Sequence, residues 1–138
     1  MTRLLFDERR AREWLETTAI FREVVYYMME LWPVDRLYVV TMFRSKFEEQ
    51  EIEEATGRKP SGVHQKRPHC ACDIRIWNLG RPGLSMQSRA ERIAKAIDDT
   101  FDYDPDRPGQ FPVAYARPHG TGPHIHLQTH LNTVRRTK

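Results

Sequence analysis

Apolar side chains recur at helical spacing through residues 7–32, where Trp14, Phe21, Val24, Val25, Met28, Leu31 and Trp32 are separated by Arg and Glu. That period predicts one long amphipathic helix, interrupted at most near Thr17-Thr18, and Pro33 ends it because proline has no amide hydrogen to donate. Residues 37–43 form an unbroken β-favouring run, which predicts a strand buried on both faces. The acidic stretch 47–55, with Glu48, Glu49, Glu51, Glu53 and Glu54, predicts a short solvated helix, and residues 56–62 a loop. Strand character returns over residues 70–77. After a turn at 78–83, Ser85 or Ser88 can cap a helix whose Ala90, Ile93, Ala94, Ile97 and Phe101 lie on one stripe. An Asp/Pro-rich connector follows at 102–109. Residues 113–116 and 124–127 read as two further strands joined by the turn 117–123. This order predicts an α+β domain with a small antiparallel sheet, one domain over residues 1–138.

The chain's 138 residues suffice for a single domain with a real core, and 39% hydrophobic with 30% charged residues is a globular balance. The net charge of +3 and pI near 9.0 come largely from a basic tail over residues 132–138, with Arg135, Arg136 and Lys138. That excess is too small and too local to argue for nucleic acid. No run reaches the roughly 18 apolar residues of a membrane span, and the N-terminal residues lack the apolar core of a signal peptide, so the expectation is a protein cytoplasmic at synthesis with no membrane partner. Cys70 and Cys72 lie two apart on one strand, where a disulfide has no room to close, and read as buried reduced thiols.

The chemistry concentrates in two stretches. In the first, Asp73 lies inside a strand that should be buried, and a buried carboxylate is costly unless a positive partner or a metal compensates it. Strand alternation puts His69, Ala71 and Asp73 on one face and Cys70, Cys72 and Ile74 on the other, which sends the thiols to the core and weakens any Cys-based zinc site. His69 is about 13 Å from Asp73 along a straight strand, too far to share one ion, so His64, on a loop, is the better partner. The second stretch is Pro123-His124-Ile125-His126-Leu127-Gln128, in which His124 and His126 point the same way about 6.6 Å apart. One carboxylate and two imidazoles around a divalent ion with an open position is the composition of a catalytic zinc site, which suits amide hydrolysis.

The order Gly62-Val63-His64, then Ala71-Cys72-Asp73-Ile74-Arg75, then Pro123-His124-Ile125-His126-Leu127-Gln128 resembles the zinc D,D- and L,D-peptidases of the M15 group, whose relatives include phage endolysins and the hedgehog signalling domain. The resemblance spans residues 37–129. It implies the hedgehog/DD-peptidase fold, a long N-terminal helix and a second helix packed on a small antiparallel sheet. It also implies a zinc metallopeptidase that hydrolyses peptide bonds in peptidoglycan stem peptides, acting on the cell wall after release. By resemblance His64 and Asp73 are the first two zinc ligands. The third is His126 if the His-x-His form applies, or His124 if the form with an acid three residues before the ligand applies. We take His126, which leaves His124 to face the substrate, and Arg44 matches an arginine that steadies the substrate carbonyl.

Two departures accompany the resemblance. The spacing from His64 to Asp73 is longer than is usual in the family, so residues 65–68 must bulge. The family's general base is an acid just before the last histidines, where this chain has Thr121, Gly122 and Pro123; loss of such a base costs about 10²- to 10⁴-fold. His119 or a glutamate of residues 48–54 is the available substitute. Two other readings follow: a zinc-binding, non-catalytic phage accessory module, and a nucleotide hydrolase or transferase similar to the histidine-triad enzymes, whose His-x-His-x-Gln/His strand resembles residues 124–128 but which leaves His64 and Asp73 idle.

Overall fold

Two adjacent threonines divide the N-terminal helical run. In the computed structural model, which describes residues 2–41, 46–57, 71–80, 85–109, 111–117 and 123–136, the expected single helix is two: α1, Glu8–Trp14, and α2, Ala19–Leu31. Thr17 Oγ1 donates to the Trp14 carbonyl at 2.7 Å, and Thr18 Oγ1 accepts from the Phe21 amide at 3.2 Å as the N-cap of α2. Short hydroxyl side chains compete for backbone groups in this way, so one helix ends and the next is capped within four residues. Arg22 reaches back to the Leu15 and Thr17 carbonyls and fastens the break.

The main sheet has five strands in the order β1-β2-β3-β6-β5. They are β1, Arg3–Leu5; β2, Arg36–Thr41; β3, Ala71–Arg75; β5, Ala114–Arg117; and β6, His124–Gln128. All neighbours are antiparallel except β1 with β2, a parallel pair that aligns Leu4 with Leu37. The strand β1 was not expected. In β2 only Leu37 and Val39 are buried, whereas Tyr38, Val40 and Thr41 are partly exposed, which corrects the expectation of a strand buried on both faces. A register shift between Val39 and Thr41 marks where β2 meets Asp73.

One face of the sheet is apolar. Cys72 and Ile74 on β3 and Ile125 and Leu127 on β6 pack into a single core with Phe21, Val24, Val25 and Met28 of α2. The helix α4, Met86–Thr100, is capped by Ser85 as expected and adds Ala90, Ile93, Ala94 and Ile97 to that core. The helix α3, Lys46–Thr56, forms where the acidic run predicted it, with Glu51, Glu53 and Glu54 exposed. Among the described residues no helix is long and apolar enough to cross a membrane.

A two-stranded antiparallel ribbon, β4 (Phe101–Asp102) with β7 (Val134–Arg135), closes the chain against α2. Arg135 lies over the Phe101 and Tyr27 rings at 4.9 and 5.3 Å and pairs with Glu23, while Arg136 pairs with Asp102. These two residues of the expected basic tail are therefore tied to the fold. In the connector after β4, Asp104 is buried and accepts from Arg107 Nε, the Asp106 amide and Asn132 Nδ2, so a guanidinium already answers its charge. The hydrogen bond from Arg107 is the main cause that holds the Asp104 carboxyl below the ordinary carboxylate range.

Two outcomes follow. Thr18→Ala should lower unfolding stability by about 1 kcal/mol in a urea titration, because the Phe21 amide loses its acceptor. Because the folded-state pKa of Asp104 is depressed, its contribution is present above the ordinary carboxylate pKa and is lost as pH falls through the lower folded value. Asp104→Asn should therefore destabilise the protein at pH 7 and have a smaller effect near pH 3, measured by the same titration at both pH values.

Candidate metal and histidine site

Pairing across three strands assembles the site. Register aligns Asp73 of β3 with His126 of β6, and His126 with Tyr115 of β5, so the three share one row on the face opposite α2 and α4. The flanking positions Cys72 and Ile74 turn to the core, as the alternation predicts. Burial pushes the Cys72 thiol well above its ordinary range, and the neighbouring Asp73 carboxylate adds to the shift. This thiol is inert in the core, away from the site.

Asp73 and His126 are each 5% exposed. His126 Nδ1 lies 2.9 Å from Asp73 Oδ1, and His124 Nε2 approaches the same oxygen at 3.7 Å. The other ring nitrogen, His126 Nε2, lies 3.2 Å from Gln128 Oε1, and Gln128 Nε2 donates to the Pro112 carbonyl at 2.8 Å. Tyr115 stacks on the His126 ring, with centroids 4.8 Å apart and planes 25° from parallel.

A carbonyl oxygen can only accept, so the bond to Pro112 sets which end of the Gln128 amide is nitrogen, and the oxygen is left facing His126. The His126 ring thus meets an acceptor at each nitrogen, Asp73 Oδ1 at Nδ1 and Gln128 Oε1 at Nε2, and the tautomer decides which of the two receives a hydrogen. With the hydrogen on Nδ1 the ring donates to Asp73; with it on Nε2 the ring donates to Gln128 and turns a lone pair toward the carboxylate.

The structure thus brings together Asp73, His124 and His126. His64 and Arg44 lie outside the described residues, as do His69, Cys70, His119, Thr121 and Gly122. Among the described residues no group of three His, Cys, Asp or Glu side chains is placed to hold a metal ion. Gln128 and Tyr115 were not expected as site residues. The His-x-His-x-Gln alternation put Gln128 on the correct face, but its role rests on Pro112, and the Tyr115 stack depends on a strand pairing that spacing does not reveal.

A buried polar group that loses a hydrogen-bond partner costs about 1–3 kcal/mol, and more when it is charged. His126→Ala, which removes the 2.9 Å partner of buried Asp73, should lower the unfolding free energy of chelator-treated protein by that order, whereas His126→Gln, which can keep a donor there, should lower it less. Denaturant titration of the two variants checks both.

No family model matches this chain, and no curated protein or solved structure matches it, so what the site does rests on the chemistry of its own residues.

Proposed function

We propose that Asp73 and His126 are two ligands of a zinc site in a hydrolase of the hedgehog/DD-peptidase type, acting on peptide bonds of peptidoglycan stem peptides, with His64 as the third ligand. The observation that carries this reading is the buried row in which His126 Nδ1 lies 2.9 Å from Asp73 Oδ1 while Gln128 Oε1 stands 3.2 Å from Nε2. The donor set fits the ion. A carboxylate oxygen and an imidazole nitrogen are both zinc ligands, and Asp73 Oδ1 and His126 Nδ1 lie side by side at 2.9 Å, where both would hold one ion. A ligating histidine ordinarily donates its other ring hydrogen to an acceptor that fixes tautomer and orientation, and Gln128 Oε1 has that position.

Zinc bound there supplies Lewis-acid activation of water and of the scissile carbonyl. The remaining work belongs to the protein. Asp73, His126 and His64 hold the ion, Gln128 and Tyr115 hold the His126 ring, and Arg44 steadies the carbonyl oxygen by resemblance. Amide hydrolysis also moves a proton from the attacking water to the departing amine. His124, whose side chain is 13% exposed and whose Nε2 lies at the rim of the Asp73 carboxylate, is the group we assign to carry it. The histidine-triad reading has no use for Asp73, whereas Asp73 is the partner of His126 here. The accessory-module reading draws support from Pro123, which stands with Thr121 and Gly122 where the family carries its acid.

Metal analysis should find about one zinc per chain, absent from Asp73→Ala, His126→Ala and His64→Ala and retained in His69→Ala. Gln128→Leu should weaken zinc binding about 10- to 100-fold in a competition titration with a chromophoric chelator. Release of amino groups from purified peptidoglycan, abolished with the zinc, supports the hydrolase. Zinc without that release leaves the accessory module, and a protein that takes up no zinc sinks both.

A further inference from the structure

The face that carries Asp73 continues past the end of β3. Ile74 and Ile76 are fully buried, while Arg75 is exposed and Trp77 is 55% exposed, so the alternation places Asp73, Arg75 and Trp77 in line on the site face. From the neighbouring β2, Tyr38 lies on the same side, opposite the buried Leu37 and Val39, and its ring packs 5.1 Å from that of Trp77 with planes 32° apart. Arg36, which hydrogen-bonds the Tyr38 side chain, and Arg75, paired in register with His124, are both exposed on these strands.

The platform is held rigidly. Trp77 occupies a turn closed by the Leu79 amide on the Ile76 carbonyl at 2.9 Å. The Arg36 carbonyl accepts from Asn78 Nδ2 at 2.7 Å and from Trp32 Nε1 at 2.8 Å, which fastens that turn to β2 and the end of α2. Single exposed apolar side chains are ordinary on protein surfaces. A tilted aromatic pair on a hydrogen-bonded turn, with two exposed arginines on the same strands as a buried histidine-carboxylate site, is an arrangement suited to a ligand with an apolar face and negative groups beside it.

We propose that Trp77 and Tyr38, with Arg75 and Arg36, form a sugar-binding subsite for the amino sugar that carries the stem peptide. The inference rests on the peptidoglycan reading above. The pyranose ring presents a face of C–H bonds to stack on the indole, and the arginines meet carboxylates of the attached lactyl-peptide. The separation agrees. Trp77 lies four residues beyond Asp73, two on β3 and two past its end, a span of at most about 14 Å. Three to four extended residues, the length of stem peptide between the sugar and a D,D- or L,D-bond, cover about 10–14 Å.

The test compares two ligands of the metal-free protein by isothermal titration: a stem tetrapeptide, and the same tetrapeptide on its N-acetylglucosamine–N-acetylmuramic acid disaccharide. Wild type should bind the disaccharide form at least tenfold more tightly; Trp77→Ala should bring the two within about twofold, and Trp77→Phe should retain part of the difference. Circular dichroism confirms that the variants are folded. Equal binding of both ligands by wild type, or a preference unchanged in Trp77→Ala, overturns the subsite. A single-stranded oligonucleotide that binds in a Trp77-dependent way, with no preference for the sugar, also overturns it and assigns the platform to nucleic acid. Because binding is read without zinc and without cleavage, a Trp77-dependent preference in a protein that takes up no zinc sustains the subsite and sinks the hydrolase. Zinc-dependent cleavage with no sugar preference does the reverse.

Discussion

A negative charge is held at the centre of a sheet, and the architecture serves to keep it answered. Asp73 lies on β3 and His126 on β6, adjacent strands that each have neighbours on both sides. Their meeting depends on register, since a slip of one residue would turn Asp73 into the core and Cys72 or Ile74 out of it. The apolar face sets that register. Cys72, Ile74, Ile125 and Leu127 are all but fully buried against α2 and α4, and large apolar side chains of this kind contribute about 1.5–3 kcal/mol each. Burying them holds the register, so packing on one face dictates which polar groups meet on the other.

The same alternation explains what could be read from sequence. Cys72 and Ile74 inward with Asp73 outward, the buried stripe of α4 and its Ser85 cap are local patterns with a direct physical cause. The break between α1 and α2 is less visible because the apolar period runs on across Thr17 and Thr18, and only their hydroxyl contacts separate the helices. Tyr38 and Val40 made β2 look buried throughout, although an apolar side chain carries no mark of the face it occupies. Three residues of β1 are too few to show any alternation, and that strand exists because β2 offers it a parallel edge. Arg135 counts as tail charge in sequence and becomes a clasp only when Phe101 and Tyr27 lie beneath it.

At the site, the residues that bear charge were legible and those that orient them were not. Asp73 and His126 announce themselves as a carboxylate in an apolar strand and an imidazole at alternate spacing. Gln128 is an ordinary polar residue until the Pro112 carbonyl takes its amide hydrogen and turns its oxygen toward His126. Pro112 lies 16 residues away in sequence from Gln128, so the arrangement exists only after β5 has paired with β6.

The choice of an amide at position 128 has a consequence that a carboxylate there would not share. Gln128 is neutral, so it offers the His126 ring an acceptor at Nε2 without adding charge to the row. A glutamate at 128 would offer the same acceptor, but it would place a second carboxylate beside Asp73 at a position only 8% exposed, where an unmatched negative charge is costly. The amide therefore orients the ring while Asp73 remains the single carboxylate of the row that joins β3, β6 and β5.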